Sequence, residues 1–256
     1  TSGSNVTLVD AGAIDLGAST VSGTYAVTAT ADGDITDSGV LAITGTSTLT
    51  AADEQSIILD QSSTFGTVAF VASSGNLKNV TINDSNALDL SALTLAQVSG
   101  AGGNLTVTAG GAVTDSGTLV IPGTTTISAS GQDVTLNDSS NNFGTATITG
   151  ANVAVTDTNA IALGASTISG TYSITADGNI TDDGAQVITG LTTLGAGSGI
   201  ITLDNSSNDF QGGLVIQSSG NVVLRDVGAI DLGAATVSGT YSVTAGGAIT
   251  DSGTQE

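Results

Sequence analysis

The sequence predicts an all-β chain wound as a right-handed parallel β-helix, a β-solenoid of about eleven coils with three coils per repeat of roughly 70 residues. Three observations predict it. A block running from Val6 to Gly23 returns at Val153–Gly170 and Val222–Gly239, with a diverged copy from Val80. Short runs of Thr, Val and Ile alternate with small residues and are broken by Gly, Asn, Asp and Ser, which is strand-and-turn chemistry. The rare aromatic residues recur at fixed places, as stacking of like on like requires.

The aspartate of the repeated block marks the period. Asp10, Asp84, Asp157 and Asp226 are spaced by 74, 73 and 69 residues. The chain then reads as one continuous solenoid over residues 1–256, with repeats at about 6–79, 80–152, 153–221 and a partial 222–256. Each repeat divides at glycines. Segments close at Gly23, Gly45, Gly66, Gly100, Gly123, Gly144, Gly170, Gly190, Gly212 and Gly239, with lengths of 22, 21 and 34, then 23, 21 and 26, then 20, 22 and 27. Within a segment an alternating strand such as Tyr25-Ala-Val27-Thr-Ala29 leads into a polar turn and further short strands. Hairpins are disfavoured, because Asp-Gly occurs only at Asp32, Asp177 and Asp183 and not at hairpin spacing. Tyr25, Tyr172 and Tyr241 share one repeat position, where the diverged copy has Leu105; Phe65, Phe143 and Phe210 share another.

Composition removes whole classes of function. The chain has no His, Cys, Met or Trp, so a Ser-His-Asp triad, a thiol nucleophile, a disulfide and the usual zinc or haem sites are excluded. With 23 acidic and 2 basic residues, a net charge of −21 leaves no means of neutralising phosphates or an anionic membrane surface. The expectation is no nucleic acid and no membrane insertion. The chain is nonetheless not disordered in composition, since 39% of it is hydrophobic and the mean hydropathy is +0.32.

Ala13-Ile-Asp-Leu-Gly-Ala-Ser-Thr-Val-Ser-Gly23, Thr244-Ala-Gly-Gly-Ala-Ile-Thr-Asp-Ser-Gly253 and Leu203-Asp-Asn-Ser-Ser-Asn-Asp-Phe210 carry a resemblance. With these motifs the chain resembles the repeat regions of filamentous-haemagglutinin-like bacterial exoproteins, large adhesins often exported by a two-partner route. The resemblance covers essentially the whole chain. It implies a β-helical shaft, an extracellular or cell-surface location, and a scaffolding or adhesive role without catalysis. Host or neighbouring-cell glycans or proteins are the partners it implies. The visible ends lack a cap and lead to the expectation of end-to-end self-association, or of continuation in a longer solenoid.

Asp supplies all the negative charge except Glu54 and Glu256. Short Asp suits turns because it bonds its own backbone. A calcium reading rests on Asp32, Asp34 and Asp37 in one repeat and Asp177, Asn179 and Asp182 in its equivalent, oxygen donors of the kind calcium takes. The other copies read Gly110-Gly-Ala112 and Gly246-Gly-Ala248 and keep only Asp115 and Asp251. A Gly-Gly-x-Gly-x-Asp calcium roll is absent, and the expectation is no cofactor, with calcium at these loops the one candidate. A carbohydrate-active enzyme would need a carboxylate pair such as Asp182 and Asp183, or a base at Lys78 or Arg225. These pairs belong to the repeat instead of interrupting it.

Three further features complete the reading. Thr-x-Thr runs at Thr46, Thr48 and Thr50, at Thr124 and Thr126, and the pair Thr192 and Thr193 mark only one coil in three, too few for a flat ice-binding array. Asn5, Asn79, Asn104 and Asn179 fit the glycosylation sequon but read as turn asparagines. The irregular 34-residue segment from Thr67 to Gly100, which holds Lys78, is where an inserted binding loop is expected, since insertions in solenoids map to loops.

Overall fold

The computed structural model describes all 256 residues and contains 32 strands and no helix. It divides into two compact units, Thr1–Ala129 and Ser130–Glu256. Each is a β-solenoid, and together they carry about 12 turns. No helix is long and apolar enough to cross a membrane. Within each unit every strand pairing is parallel, with one antiparallel exception at Gln97–Val98 and Ala101–Gly102.

In the first unit, strand register fixes two files of residues. Val6 pairs with Tyr25, Tyr25 with Ser47, and Ser47 with Val68, and Val68 pairs onward with Leu90. A second file runs Ile14, Ile35, Ile57, Val80, Leu105 and Thr125. The second unit repeats the arrangement. One file is Val153, Tyr172, Thr192, Leu214 and Leu232; the other is Ile161, Ile180, Ile201, Val222 and Tyr241.

These files show that the repeat does not close on a whole number of turns. Val80 is the counterpart of Val6 in the next repeat, yet it stacks in the file of Ile14. Val222 is the counterpart of Val153, yet it stacks in the file of Ile161. Three turns take 62 residues from Val6 to Val68 and 61 from Val153 to Leu214, while the repeats are 74 and 69 long. The remainder, 12 residues in the first unit and 8 in the second, carries the chain from one strand to the next, as from Val153 to Ile161. A repeat is therefore three turns plus one further strand, which is why each third segment is the longest and why the turns exceed the expected eleven.

Side chains alternate in and out along each strand, as the pleat requires. In Tyr25–Ala29, Tyr25, Val27 and Ala29 are buried while Ala26 and Thr28 are half-exposed. The core is aliphatic: Ile35, Ile43, Leu49, Ile57, Val80, Val107 and Ile127 in the first unit, and Ile148, Leu163, Ile174, Ile188 and Leu224 in the second. The aromatic positions are explained by their neighbours in the file. Tyr25 lies over Ser47 and Tyr172 over Thr192, and both small residues are fully buried. A large ring beside a small side chain keeps the turn area constant at close packing. Leu105 in the diverged repeat likewise lies beside Thr125.

Glycine lines the tightest corners. A Cβ on Gly190 would collide with the carbonyl oxygen of Gly170, and a Cβ on Gly212 with that of Gly190. The backbones of successive turns approach there too closely for any side chain.

Candidate functional site

Carboxylates and carboxamides are the chain's principal chemistry, and the structure commits most of them to holding one turn on the next. The repeat-marking aspartates do this from inside. Asp157 is buried, with Oδ2 accepting the backbone N–H of Phe143 at 2.6 Å and Oδ1 that of Asn159 at 2.7 Å. Asp226 does the same for Phe210 and Gly228, both at 2.6 Å. Asp84 accepts from Asn86 at 2.9 Å and from Phe65 at 3.4 Å through one oxygen, leaving Oδ2 buried without a partner. Asp10 keeps only the local bond, from Gly12 at 2.7 Å. Burial pushes the Asp84 and Asp157 carboxyls above the usual carboxylate range, opposed in part by these hydrogen bonds. The recurrence of Phe and of Asp at their own repeat positions was visible in the sequence; the bond between them was not.

A second device sits on the outer surface. Asp89 accepts hydrogen bonds from Thr114 Oγ1 at 3.0 Å and Ser116 Oγ at 2.6 Å, one turn away. Asp231 accepts from Thr250 at 3.2 Å and Ser252 at 2.7 Å, and Asp15 from Thr36 at 3.4 Å. This ties the Ile-Asp-Leu-Gly motif to the Thr-Asp-Ser-Gly motif. The third repeat inverts the pair: Ala162 replaces the aspartate, and Asp183 stands where the serine would be. In this repeat the negative charge changes turns.

The calcium candidates fall into the same pattern. Asp34 Oδ1 accepts the N–H of Ser56 at 2.7 Å, and Asp37 Oδ1 accepts those of Asp60 at 2.8 Å and Gln61 at 3.4 Å. Asn179 Oδ1 accepts from Ile200 N–H at 3.0 Å. Asp182 takes the N–H groups of Asp204 and Asn205 and the side-chain amide of Asn208. Asp32 and Asp177 are exposed. No group of three acidic side chains is arranged to hold a metal ion. Burial raises the Asp37 carboxyl, and its Oδ2 has no partner. Asp182, considered above with Asp183 as a carboxylate pair, has both oxygens engaged.

The sequon asparagines are inter-turn caps. Oδ1 of Asn5, Asn79 and Asn104 accepts the backbone N–H of Thr24, Asn104 and Thr124, at 2.9, 3.1 and 2.8 Å. Asn152 and Asn221 do the same for Thr171 and Thr240. Threonines form a longer file than their spacing suggests: Thr81, Thr106 and Thr126 stack on successive turns, preceded by Ile58.

Three tyrosine hydroxyls, of Tyr25, Tyr172 and Tyr241, are buried without a hydrogen bond. Ser19 and Ser166 stand near the first two but outside bonding geometry. Burial raises all three phenols, that of Tyr241 up to about 12.

Register shifts occur at Ile43–Thr46, Leu59–Ser63, Leu194–Gly195 and Leu214–Ser219, and a wider break lies within the expected segment. The strand Ile57–Ala72 meets the following turn at Val68 with Leu90, and contact resumes at Leu77 with Leu95. The lower turn takes nine residues between these points and the upper turn five, so the lower corner has nothing stacked on it. The result is a notch of about 240 Å³ lined by residues that include Val71, Asn76, Leu93 and Thr94. Directly after Leu95, the hairpin Gln97–Gly102 turns at Ser99 and Gly100, both with positive φ (54° and 78°). Lys78, the only lysine, packs its stem against Gly102; Pro122, the only proline, lies against Gly103, and its carbonyl accepts from Gln97 Nε2 at 3.3 Å.

Comparison with known proteins gives one match. A family model described as repeats of unknown function (DUF5649) matches residues 3–72, 77–149, 150–217 and 219–255. No curated protein and no solved structure matches the chain.

Proposed function

The chain belongs to the DUF5649 family of repeats, and from that premise we propose that it is a structural segment of a bacterial extracellular or cell-surface rod or fibre. The reading is non-catalytic and of the filamentous-haemagglutinin-like kind. One observation carries it. In each unit the second repeat starts one strand position on from the first, so equivalent side chains go to different faces. An array that binds one ligand along one side would keep them in a single stripe. A spacer has no need of a single stripe and is compatible with the opposite arrangement. The engagement of Asp and Asn in bonds between turns supports the same reading, since these groups serve stacking. The net charge of −21 keeps such a surface soluble and self-repelling.

The test is location and form. An antibody against Thr1–Glu256 should label intact, unpermeabilised cells that make the protein, and electron microscopy of the released protein should show a rod. Labelling only after permeabilisation would overturn the surface reading.

A second reading, an adhesive module with its binding loop within 67–100, is favoured by the notch and hairpin alone. Elsewhere in the first unit the ladder offers no comparable break.

A further inference from the structure

The notch beside the hairpin has the makings of a ligand site, and we propose that it receives a single neutral pyranose unit of a glycan. This rests on the adhesive reading and is independent of the shaft. Four observations converge on it. The notch measures about 240 Å³, smaller than the roughly 300–1,000 Å³ of sites for drug-sized ligands. It carries no carboxylate in its lining, in a chain with 23 of them. The nearest carboxylate, that of Asp53, lies beside Gly75 and accepts the backbone N–H of Asn76 at 2.9 Å through one oxygen.

The lining matches the two-sided chemistry of a sugar. The lining surface is mostly polar, and Val71, 39% exposed, is its exposed apolar member. Asn76 and Thr94 contribute an amide and a hydroxyl. The Asn76 backbone is fixed on both sides, its N–H by Asp53 and its carbonyl by the N–H of Glu54 at 2.9 Å, while its side chain is left for a ligand. An amide offers a donor pair and an acceptor, and a hydroxyl offers both, which suits vicinal hydroxyls.

The surroundings hold this shape against the repeat. Val68 with Leu90 and Leu77 with Leu95 close the notch at its two ends. The hairpin beyond Leu95 is clamped between Lys78 and Pro122, residue types found nowhere else in the chain. A shaft does not need such a clamp; a preformed site does, because a rigid wall lowers the ordering cost of binding.

Saturation-transfer NMR on the full chain, with methyl glycosides of glucose, galactose, mannose and N-acetylglucosamine, tests this. At least one should receive transfer, and Asn76→Ala and Thr94→Ala should each weaken it about tenfold without lowering the melting temperature. Val223→Ala, on the second unit, should leave it unchanged. Binding that survives both notch substitutions would overturn the site but keep an adhesive role. No transfer to any of the four sugars would overturn both.

Discussion

The carboxylate of Asp157 accepts the backbone N–H of Phe143 at 2.6 Å and so binds the start of one turn to the end of another from inside the core. Asp226 and Phe210 repeat the relationship at the same distance. Buried carboxylates are costly unless hydrogen-bonded, and here each bond also satisfies a backbone donor that the corner would otherwise strand.

The first prediction concerns that carboxylate and pH. A carboxyl raised above its ordinary value binds its proton more tightly in the folded state. Its contribution is complete below the unfolded pKa and is lost as pH rises through the folded one. Asp37, Asp84 and Asp157 are all raised. The melting temperature should therefore increase from pH 7 to pH 5, still above the pI of about 4.1. Asp157→Ala should cost about 1–3 kcal/mol by stranding two N–H groups. Calorimetry showing steady loss of stability on acidification would contradict it.

How much of this was legible in the sequence depends on the kind of contact. The recurrence of Tyr25, Tyr172 and Tyr241, and of the glycines at Gly190 and Gly212, declared a solenoid, but the expected stacking of like on like does not occur: Tyr25 lies on Ser47, Tyr172 on Thr192 and Tyr241 on Val222. The offset of Val80 and Val222 was not legible. Turn length is set by corner geometry, and the glycine corners look alike wherever they fall. Nor was the Asp157 bond, since its partner lies on another turn and strand pattern says nothing of side-chain reach. The acidic loops around Asp34 and Asp182 suggested ligands because residue type alone does not show that a backbone N–H already occupies the oxygens.

A second prediction follows from the tyrosines. Tyr172 buries a hydroxyl without a partner, and such a group costs about 1–3 kcal/mol. Tyr172→Phe should raise stability by about 1 kcal/mol in urea titration. A destabilised variant would mean that the hydroxyl is bonded after all.

The third prediction tests the inverted pair. Ala162→Asp should place a carboxylate next to Asp183 and destabilise the chain by about 1 kcal/mol, of the order measured for surface charge pairs. Adding Asp183→Ser should restore the loss, because it rebuilds the arrangement of Asp89 with Thr114 and Ser116. A double variant no better than the single one would refute the pairing.

Divalent ions supply the fourth. With one oxygen each of Asp34 and Asp37 and both of Asp182 taken by N–H groups, and no three acidic side chains brought together, calcium should act only by screening. At matched ionic strength, calcium and sodium should give the same melting temperature, and Asp177→Ala should not alter the response. A calcium-specific rise abolished by Asp177→Ala would establish a site.

The offset stacking of the repeat is tested most directly by nitroxide labels at cysteines introduced in pairs, on a chain with none of its own. Thr202 and Val223 are register partners on adjacent strands, which in a parallel sheet lie about 4.8 Å apart. Labels there should show strong dipolar broadening, and labels at Thr193 and Val223, on different files, much weaker broadening. Strong coupling of Thr193 with Val223 and weak coupling of Thr202 with Val223 would mean that repeats close on whole turns, and would contradict the structure proposed for the shaft.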